Sequence, residues 1–365
     1  MKNIALFLFG LIFLISCTND TSDSEGQIMT LNPVNAEIYF PPINSDEWQT
    51  VSPMDLEWDI DAEEELRDLL SETGTKAFII LKNGEIAVEW YFDDHDQDKN
   101  WLWASAGKTL TCFTVGIAQN EGALNINNKT SDYLGNGWTS LEEEQEDLIT
   151  VLNQLTMTNG MNSVEFTCTN PKCLTYITDA GTAWSYHNGP YTLLQSVVSN
   201  ATNTTWASYF NENLRDKIGM NGFWAPLGSN NIYFSTARSM ARFGLLNLND
   251  GIWEENTILD DAAFVSTMKN TSQDLNPSYG YLWWLNGKGS YIGTGGQDVF
   301  NEDLIPNAPD DLYAGLGAND QKLYIIPSQE LVIVRMGEDA GESQLGTSSF
   351  DNDLWEKIND FINLD

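Results

Sequence analysis

A chain of 365 residues with 42% apolar and 12% aromatic side chains has room for one large or two intimately packed domains and the material for a proper core, which excludes a disordered protein. Its 17 Lys and Arg stand against 53 Asp and Glu, a formal charge of −36. That balance excludes nucleic acid as a partner, because phosphates need cations this chain mostly lacks, and it repels anionic surfaces, so the acidity reads as solvation.

In chain order, residues 1–16 read as a targeting segment: one early lysine, an apolar run from Ile4 to Ile15, then Leu14-Ile15-Ser16-Cys17. The run is shorter than the roughly 20 residues of a membrane span. Its end resembles a bacterial lipoprotein signal, which implies Cys17 as the lipidated first residue of the mature chain. A plain secretory signal with an incidental cysteine is the alternative. Either reading expects export, and the first adds a lipid anchor on Cys17 to a bacterial membrane, at the periplasmic face or the cell surface. Residues 17–35 are polar, acidic and aperiodic and suit a flexible tether. The folded part is expected over 36–365.

It opens with an amphipathic helix over 62–70 and strands over 76–81 and 85–92, joined by Asn83-Gly84, a dipeptide suited to a type I′ turn. From Ser105 to about Asn120 the pattern turns helical. Cys112 falls two turns beyond Ser105 and reads as a buried filler. Helical stretches recur to about Asn270, among them 191–198 and 206–217, broken by Asn and Gly loops. The run Glu142-Glu143-Glu144 with Glu146 and Asp147 reads as a solvated surface. In an exported protein Cys168 and Cys173 are close enough to form a local disulfide. Strands return over 279–285, 321–326 and 331–336, with a turn at Pro327-Ser328-Gln329-Glu330, and a helix over 350–362 closes the chain. The fold class expected is α+β. An antiparallel sheet built from about 75–104 and 277–340, flanked by terminal helices, carries a mostly helical subdomain over about 105–270, with the active site at the seam.

The stretch with the most chemistry is Trp103-Ala104-Ser105-Ala106-Gly107-Lys108, where a serine and a lysine three residues apart share one helix face. An amine beside a hydroxyl at a helix N-terminus can take its proton and leave a nucleophilic alkoxide that the helix dipole favours. The pattern alone is cheap, since Ser266 and Lys269 repeat it. The first copy differs by its company: Tyr186-His187-Asn188 ahead of Gly189-Pro190, then Gly315-Leu316-Gly317-Ala318 at a strand entry. Tyr209-Phe210-Asn211 repeats the second pattern inside a helix, whereas Tyr186 stands in a loop, where reactive groups tend to be displayed.

This three-part order resembles the serine β-lactamase and penicillin-binding-protein superfamily, and within it the class C-like esterases and amide hydrolases. Gln119-Asn120-Glu121-Gly122-Ala123-Leu124, Asn153 to Met161 in place of the family's Leu-Leu-x-His-x-Ser-Gly, and Ala241-Arg242-Phe243-Gly244 leading to Asp250-Gly251-Ile252-Trp253 extend it over most of the mature chain. The resemblance implies Ser105 as a nucleophile that forms an acyl-enzyme, with Lys108 helping to remove its proton. It implies Tyr186 sharing that proton between serine, lysine and leaving group, and Asn188 bonding Lys108 or the substrate. As a base at neutral pH, Lys108 needs about 3 units of downward pKa shift from a partly closed site. Which of Lys108 and Tyr186 dominates stays open. The oxyanion candidates are the backbone amides of Ser105 and Ala318, on a strand where Gly315 and Gly317 let a substrate approach closely.

The third motif departs from the family pattern, typically Lys-Thr/Ser-Gly, whose lysine binds the carboxylate of antibiotic or peptide. Neither Gly315-Leu316-Gly317 nor a shifted Ala314-Gly315 supplies a cation, and Lys322 on the following strand can face either way. This favours a small-molecule or short-peptide ester or amide as substrate, resembling the nylon-oligomer (6-aminohexanoate-dimer) hydrolase branch, over a β-lactam. Trp184, Trp283, Trp284 and Tyr313 are candidates for an apolar acyl pocket or for plain core. With only His95 and His187, a histidine zinc site is disfavoured, so no metal is expected. There is no Gly-x-Ser-x-Gly elbow and no phosphate loop, and the mechanism needs no cofactor and no protein partner. The alternatives to an exported ester or amide hydrolase are a β-lactamase or D,D-peptidase, or a non-catalytic binding lipoprotein of the same fold.

Overall fold

The structure, a computed structural model, describes residues 38–165, 167–341 and 347–364; the expected signal segment, tether and Cys17 lie outside them. Helix α1 (Glu63–Glu72) carries three glutamates in its first turn, where the helix dipole favours them, and buries Leu66 and Leu70. Strands β1 (Thr75–Lys82) and β2 (Glu85–Tyr91) follow, and their link has positive φ at both Asn83 and Gly84, as a type I′ turn requires. A short β3 (Trp101–Leu102) precedes α2 (Lys108–Asn120) and, after a loop-rich stretch, α3 (Asn188–Thr202). The hairpin β4 (Phe223–Leu227) and β5 (Asn230–Ser235) leads to α4 (Ala237–Leu248). The C-terminal part supplies β6 (Trp284–Leu285), β7 (Tyr313–Gly317), β8 (Gln321–Ile326), β9 (Leu331–Gly337) and α5 (Phe350–Ile362).

The main sheet runs β2-β1-β9-β8-β7-β6, every pair antiparallel. Its centre joins the two ends of the chain, with Ile79 opposite Val334. Both faces of β1 and β9 are covered by helices, so these strands read as near-continuous apolar runs rather than alternating ones. Alternation then assigns each β8 side chain to a face. Leu323 points toward α4, where Gly244 lets helix and sheet approach closely: a Cβ there would sit 2.4 Å from Val332 and 2.9 Å from Leu323. Lys322 and Tyr324 point the other way, toward α5.

That second face holds a buried charge network. Lys322 Nζ lies 2.8 Å from an Asp351 oxygen and 3.1 Å from an Asp320 oxygen, all three side chains almost fully enclosed. Arg335, opposite Lys322 on β9, donates to the carbonyls of Thr73, Asn319, Asp320 and Glu338 at 2.7–3.1 Å. It thereby fixes the β7–β8 turn. Burial alone would raise the Asp320 carboxyl, but Lys322, the Ser348 hydroxyl and the Ala340 amide outweigh it and hold it below the usual range.

Three expectations change. Only Trp284–Leu285 of the expected 279–285 strand joins the sheet: Leu282 takes φ 61°, Gly280 N donates to Trp283 O, and the amides of Tyr281 and Leu282 donate to Met268 O and Leu155 O instead of to a strand partner. The expected 206–217 helix is α-helical over Trp206–Phe210 and widens to a π turn over Asn211–Arg215. In the acidic run Glu146 is buried rather than solvated, because it accepts from the Gly137 and Thr139 amides and the Thr139 hydroxyl. Among the described residues no helix is long and apolar enough to cross a membrane.

Removing one partner of a buried ion pair costs about 3–5 kcal/mol, since the other charge is left uncompensated. Asp351→Ala leaves Lys322 with Asp320 and strips the buried Tyr324 hydroxyl of its acceptor, so unfolding stability in urea at pH 7 is expected to fall by less than that full cost, about 1–3 kcal/mol, and a loss below about 1 kcal/mol would show the network to be idle. Because the Asp320 value is depressed in the folded state, its contribution is complete above about pH 4 and drains away as pH falls below that.

Candidate active site

The chain is anchored just before Ser105. The Trp103 amide donates to Tyr233 O at 2.9 Å and its indole to Ser235 Oγ at 2.7 Å, which ties this segment to β5. Ala104 then takes φ 46°, a left-handed conformation that costs a non-glycine residue about 1–2 kcal/mol. The bend feeds a 3-10 helix over Ala104–Gly107 that runs into α2 at Lys108, where one continuous α-helix was expected from Ser105. In a 3-10 turn residues i and i+3 eclipse. Lys108 Nζ accordingly donates to Ser105 Oγ at 2.9 Å.

Ser105 is partly exposed, while Lys108 retains 2% of its surface. Helix α2 is enclosed from Lys108 to Ala118, so it reads as hydrophobic nearly all round and its first side chain has little access to water. Beyond Ser105, Lys108 meets ring faces: Nζ lies 4.6 Å from the Tyr186 ring centre and 4.3 Å from that of Tyr191. Burial holds the amine well below the usual lysine value.

Tyr186 stands on the extended stretch ahead of α3, almost fully buried. Burial pushes its phenol up against a smaller opposing pull from the Ser105 hydroxyl, and its Oη has no completed hydrogen bond among the described residues. His187 caps α3: Nδ1 accepts from Gly189 N at 3.0 Å, and Nε2, which must then carry the proton, donates to Asn162 O at 2.8 Å. Burial lowers this imidazole to about 4, so it is neutral and committed to structure. Gly189 makes a second clamp, since a Cβ there would sit 2.1 Å from Cys168 O. Cys168 and Cys173 are joined in a disulfide, which closes the loop resting on the Tyr186-His187-Asn188 segment. Glu165 lies close to both sulfurs, but their pairing removes the thiolates a metal would need. Cys112 is a free, fully buried thiol.

Several expected contacts differ. Asn188, the first residue of α3, does not bond Lys108; its Oδ1 is buried without a partner among the described residues. Gly315 and Gly317 allow close approach of the turn that carries Ser105. A Cβ on Gly317 would lie 2.6 Å from Trp103 O and 3.1 Å from Ser105 N, and one on Gly315 would lie 3.2 Å from Thr109 Cγ2. The end of β7 is thus pressed against Ser105, and Ala318, partly exposed, follows directly. Trp184 and Trp284 adjoin Tyr186 at 6.4 and 6.0 Å between ring centres. Trp283 and Tyr313 pack on each other and on the α4 side, where Tyr313 Oη donates to Asn247 O. Lys322 lies on the opposite sheet face, so it offers no cation to Ser105.

The repeated motifs separate cleanly. Ser266 is exposed, and Lys269 is paired with Asp250. Tyr209 donates its hydroxyl to Glu121 at 2.6 Å. The cap made by His187 and the ring of Tyr191 over Lys108 had no signal in the residue pattern beyond the helix start itself.

The family model for Beta-lactamase matches residues 66–348. Among solved structures, a Bacillus anthracis protein described as a 6-aminohexanoate-dimer hydrolase superposes with a TM-score of 0.65 at 19% identity, covering 88% of each chain. A Bacteroides dorei protein described as a beta-lactamase gives 0.67 at 15% identity, covering 84% of this chain and 99% of its own. A family VIII carboxylesterase gives 0.60 at 14% identity, covering 81% and 96%. At these identities the likeness carries the fold. No curated protein matches the sequence significantly.

A lysine whose folded-state value is lowered makes the folded chain bind fewer protons than the unfolded chain, so it lowers stability increasingly as pH falls below the unfolded value near 10.4. Lys108→Met removes this penalty. Its thermal midpoint is expected above that of the parent at pH 7, with the gap narrowing toward pH 10; a midpoint at or below the parent's at pH 7 would contradict the desolvated amine.

Proposed function

This chain belongs to the beta-lactamase family of serine hydrolases, and on that premise we propose that it hydrolyses an ester or amide through an acyl-enzyme on Ser105. The observation that carries this is a buried lysine with no carboxylate partner among the described residues, 2.9 Å from a partly exposed serine hydroxyl. With the amine neutral, that same contact can carry the Oγ–H proton to Nζ as Oγ attacks the carbonyl carbon and the carbonyl electron pair moves to oxygen. Tyr186, whose phenol is held protonated, is suited to donate to the leaving oxygen or nitrogen and to recover the proton from Lys108. The Ser105 and Ala318 amides are the oxyanion donors in this reading, supported by the contact of the β7 end with the Ser105 backbone. Asn188 Oδ1 is an acceptor available to a substrate N–H. Water then attacks the acyl-enzyme by the reverse proton path. Apart from that water and the substrate, the groups the scheme uses belong to the chain itself.

The acyl side is read as uncharged. A carboxylate-bearing β-lactam would find glycines on β7 and a lysine already paired with Asp320 and Asp351 behind it, forfeiting a charge-assisted bond worth about 1.5–3 kcal/mol, or one to two decades of affinity. Trp184 and Trp284 beside Tyr186 support an apolar acyl or leaving group. Export and a lipid on Cys17 belong to the same proposal, on the residues Leu14 to Cys17.

The test is hydrolysis of a p-nitrophenyl ester beside a chromogenic cephalosporin, with fluorophosphonate labelling read by intact mass. Ester turnover is expected, with labelling at Ser105 that Ser105→Ala abolishes, and kcat losses of about a hundredfold to ten-thousandfold for Lys108→Met and for Tyr186→Phe. Cephalosporin turnover above ester turnover would favour a penicillin-interacting enzyme. No label and no turnover on folded protein would leave a binding role.

A further inference from the structure

We propose that Tyr191 is a positioning residue for Lys108: with Tyr186 it forms an aromatic slot whose two ring faces hold the ammonium that appears when the amine takes the Ser105 proton. The inference rests on the acyl-enzyme reading above and adds to it a residue from a different element. Tyr191 lies in the first turn of α3, is 2% exposed, and places its ring face 4.3 Å from Nζ, closer than the 4.6 Å of Tyr186.

The slot answers a charge problem in the site. Proton transfer from Oγ to Nζ creates a cation in a buried place, and among the described residues the side chains that face Nζ offer no carboxylate. From the 3-10 turn comes the Ser105 hydroxyl, from the stretch before α3 the Tyr186 ring, and from α3 the Tyr191 ring. Behind the two rings the Tyr279 phenol interacts with Tyr186, Tyr191 and the Cys112 thiol of α2, and burial keeps both groups protonated and neutral. The faces of the two rings carry the negative end of their quadrupoles, and attraction to a cation is strongest where water is excluded. The rings favour the ammonium over the neutral amine, opposing desolvation. Desolvation lowers the basicity of the amine, and the slot limits how far it falls, which is the balance that proton transfer near the operating pH favours. The contact that the structure gives Tyr191 in the site is with Lys108 Nζ, which in turn bonds Ser105 Oγ, so Tyr191 acts through Lys108.

The experiment reads the amine directly. Lysine labelled with 13C at Cε gives a Lys108 signal, assigned by its loss in Lys108→Met, whose pH titration is followed beside the acid limb of kcat/KM for a p-nitrophenyl ester. Tyr191→Leu is expected to move both downward by about one unit, a tenfold change in the acid constant, and to lower the plateau rate because the base is weaker. Tyr191→Phe, which keeps the ring face, restores both toward the parent. Phenylalanines of increasing fluorination installed at position 191 keep the ring's shape while draining its face of charge, so the titration steps down with each fluorine. These isosteric rings also carry the test if Tyr191→Leu fails to fold. An amine titration identical across the Phe and fluorinated series overturns the proposal, and so does an amine that moves while the acid limb stays. An unlabelled Ser105 and no ester turnover in the parent overturn the hydrolase reading instead, while the fluorine dependence of the amine still decides whether the slot exists.

Discussion

A lysine amine held out of water beside a serine hydroxyl is the constraint on which the site depends. Lys108 loses most of its hydration because α2 is enclosed from its first residue, and its polar contact among the described side chains is Ser105 Oγ. Such an arrangement is costly and must be imposed by its surroundings. Trp103 is tied to β5 by two hydrogen bonds, Ala104 is forced to positive φ, and Gly317 gives the nucleophile turn a place to press against β7. The α3 side is fixed as firmly, with His187 capping the helix and gripping Asn162 O while the disulfide loop rests on Gly189. Strain and desolvation at one point are balanced by packing and hydrogen bonds in the elements around it.

The two faces of the main sheet treat a buried lysine in opposite ways. Lys322 is as enclosed as Lys108, yet it meets two carboxylates and is part of the scaffold. Lys108 meets a hydroxyl and two rings. Burial alone therefore does not distinguish the two lysines. The counter-charge does: among the described residues Lys322 meets two carboxylates and Lys108 none, and burial without one pushes the Lys108 amine down. The same comparison bears on the proposed substrate: Lys322 is turned toward α5, so among the described residues it is not a cation beside Ser105.

Much of this was legible in the sequence where local rules and tertiary demands agree. The β1–β2 hairpin followed from Asn83-Gly84, the α+β arrangement from strands at both ends of the folded part, and the preferred Ser-x-x-Lys copy from its company. The copy at Ser266 failed for a reason no spacing could give, since Asp250 lies 19 residues earlier and pairs with Lys269 only through the fold. Tyr279–Leu285 read as a strand because aromatic content was taken for sheet propensity, whereas its amides find carbonyls on other segments. Glu146 was hidden in a run of acids because nothing in the run says which carboxylate will turn inward to the Gly137 and Thr139 amides. The facing direction of Lys322 depended on the register of β8 against β7 and β9, and Tyr191 needed the crossing of α2 and α3.

That crossing also explains why the reactive groups come from three distant segments. Ser105 and Lys108 sit at the buried start of α2, Tyr186 leads into α3, and Gly317 and Ala318 end a strand of the sheet. Each is at an element terminus, where backbone groups lack internal partners and side chains can be aimed without breaking a helix or ladder. In the proposed reaction an ester or amide would give up water before it meets Ser105, so its proton would come from groups already in place. The phenol of Tyr186 and the amine of Lys108 are pushed in opposite directions by one cause, burial, since desolvation favours the neutral form of each. One cause thus moves both groups toward the neutral forms that the proposed scheme asks of them, at a serine that Lys108 already touches.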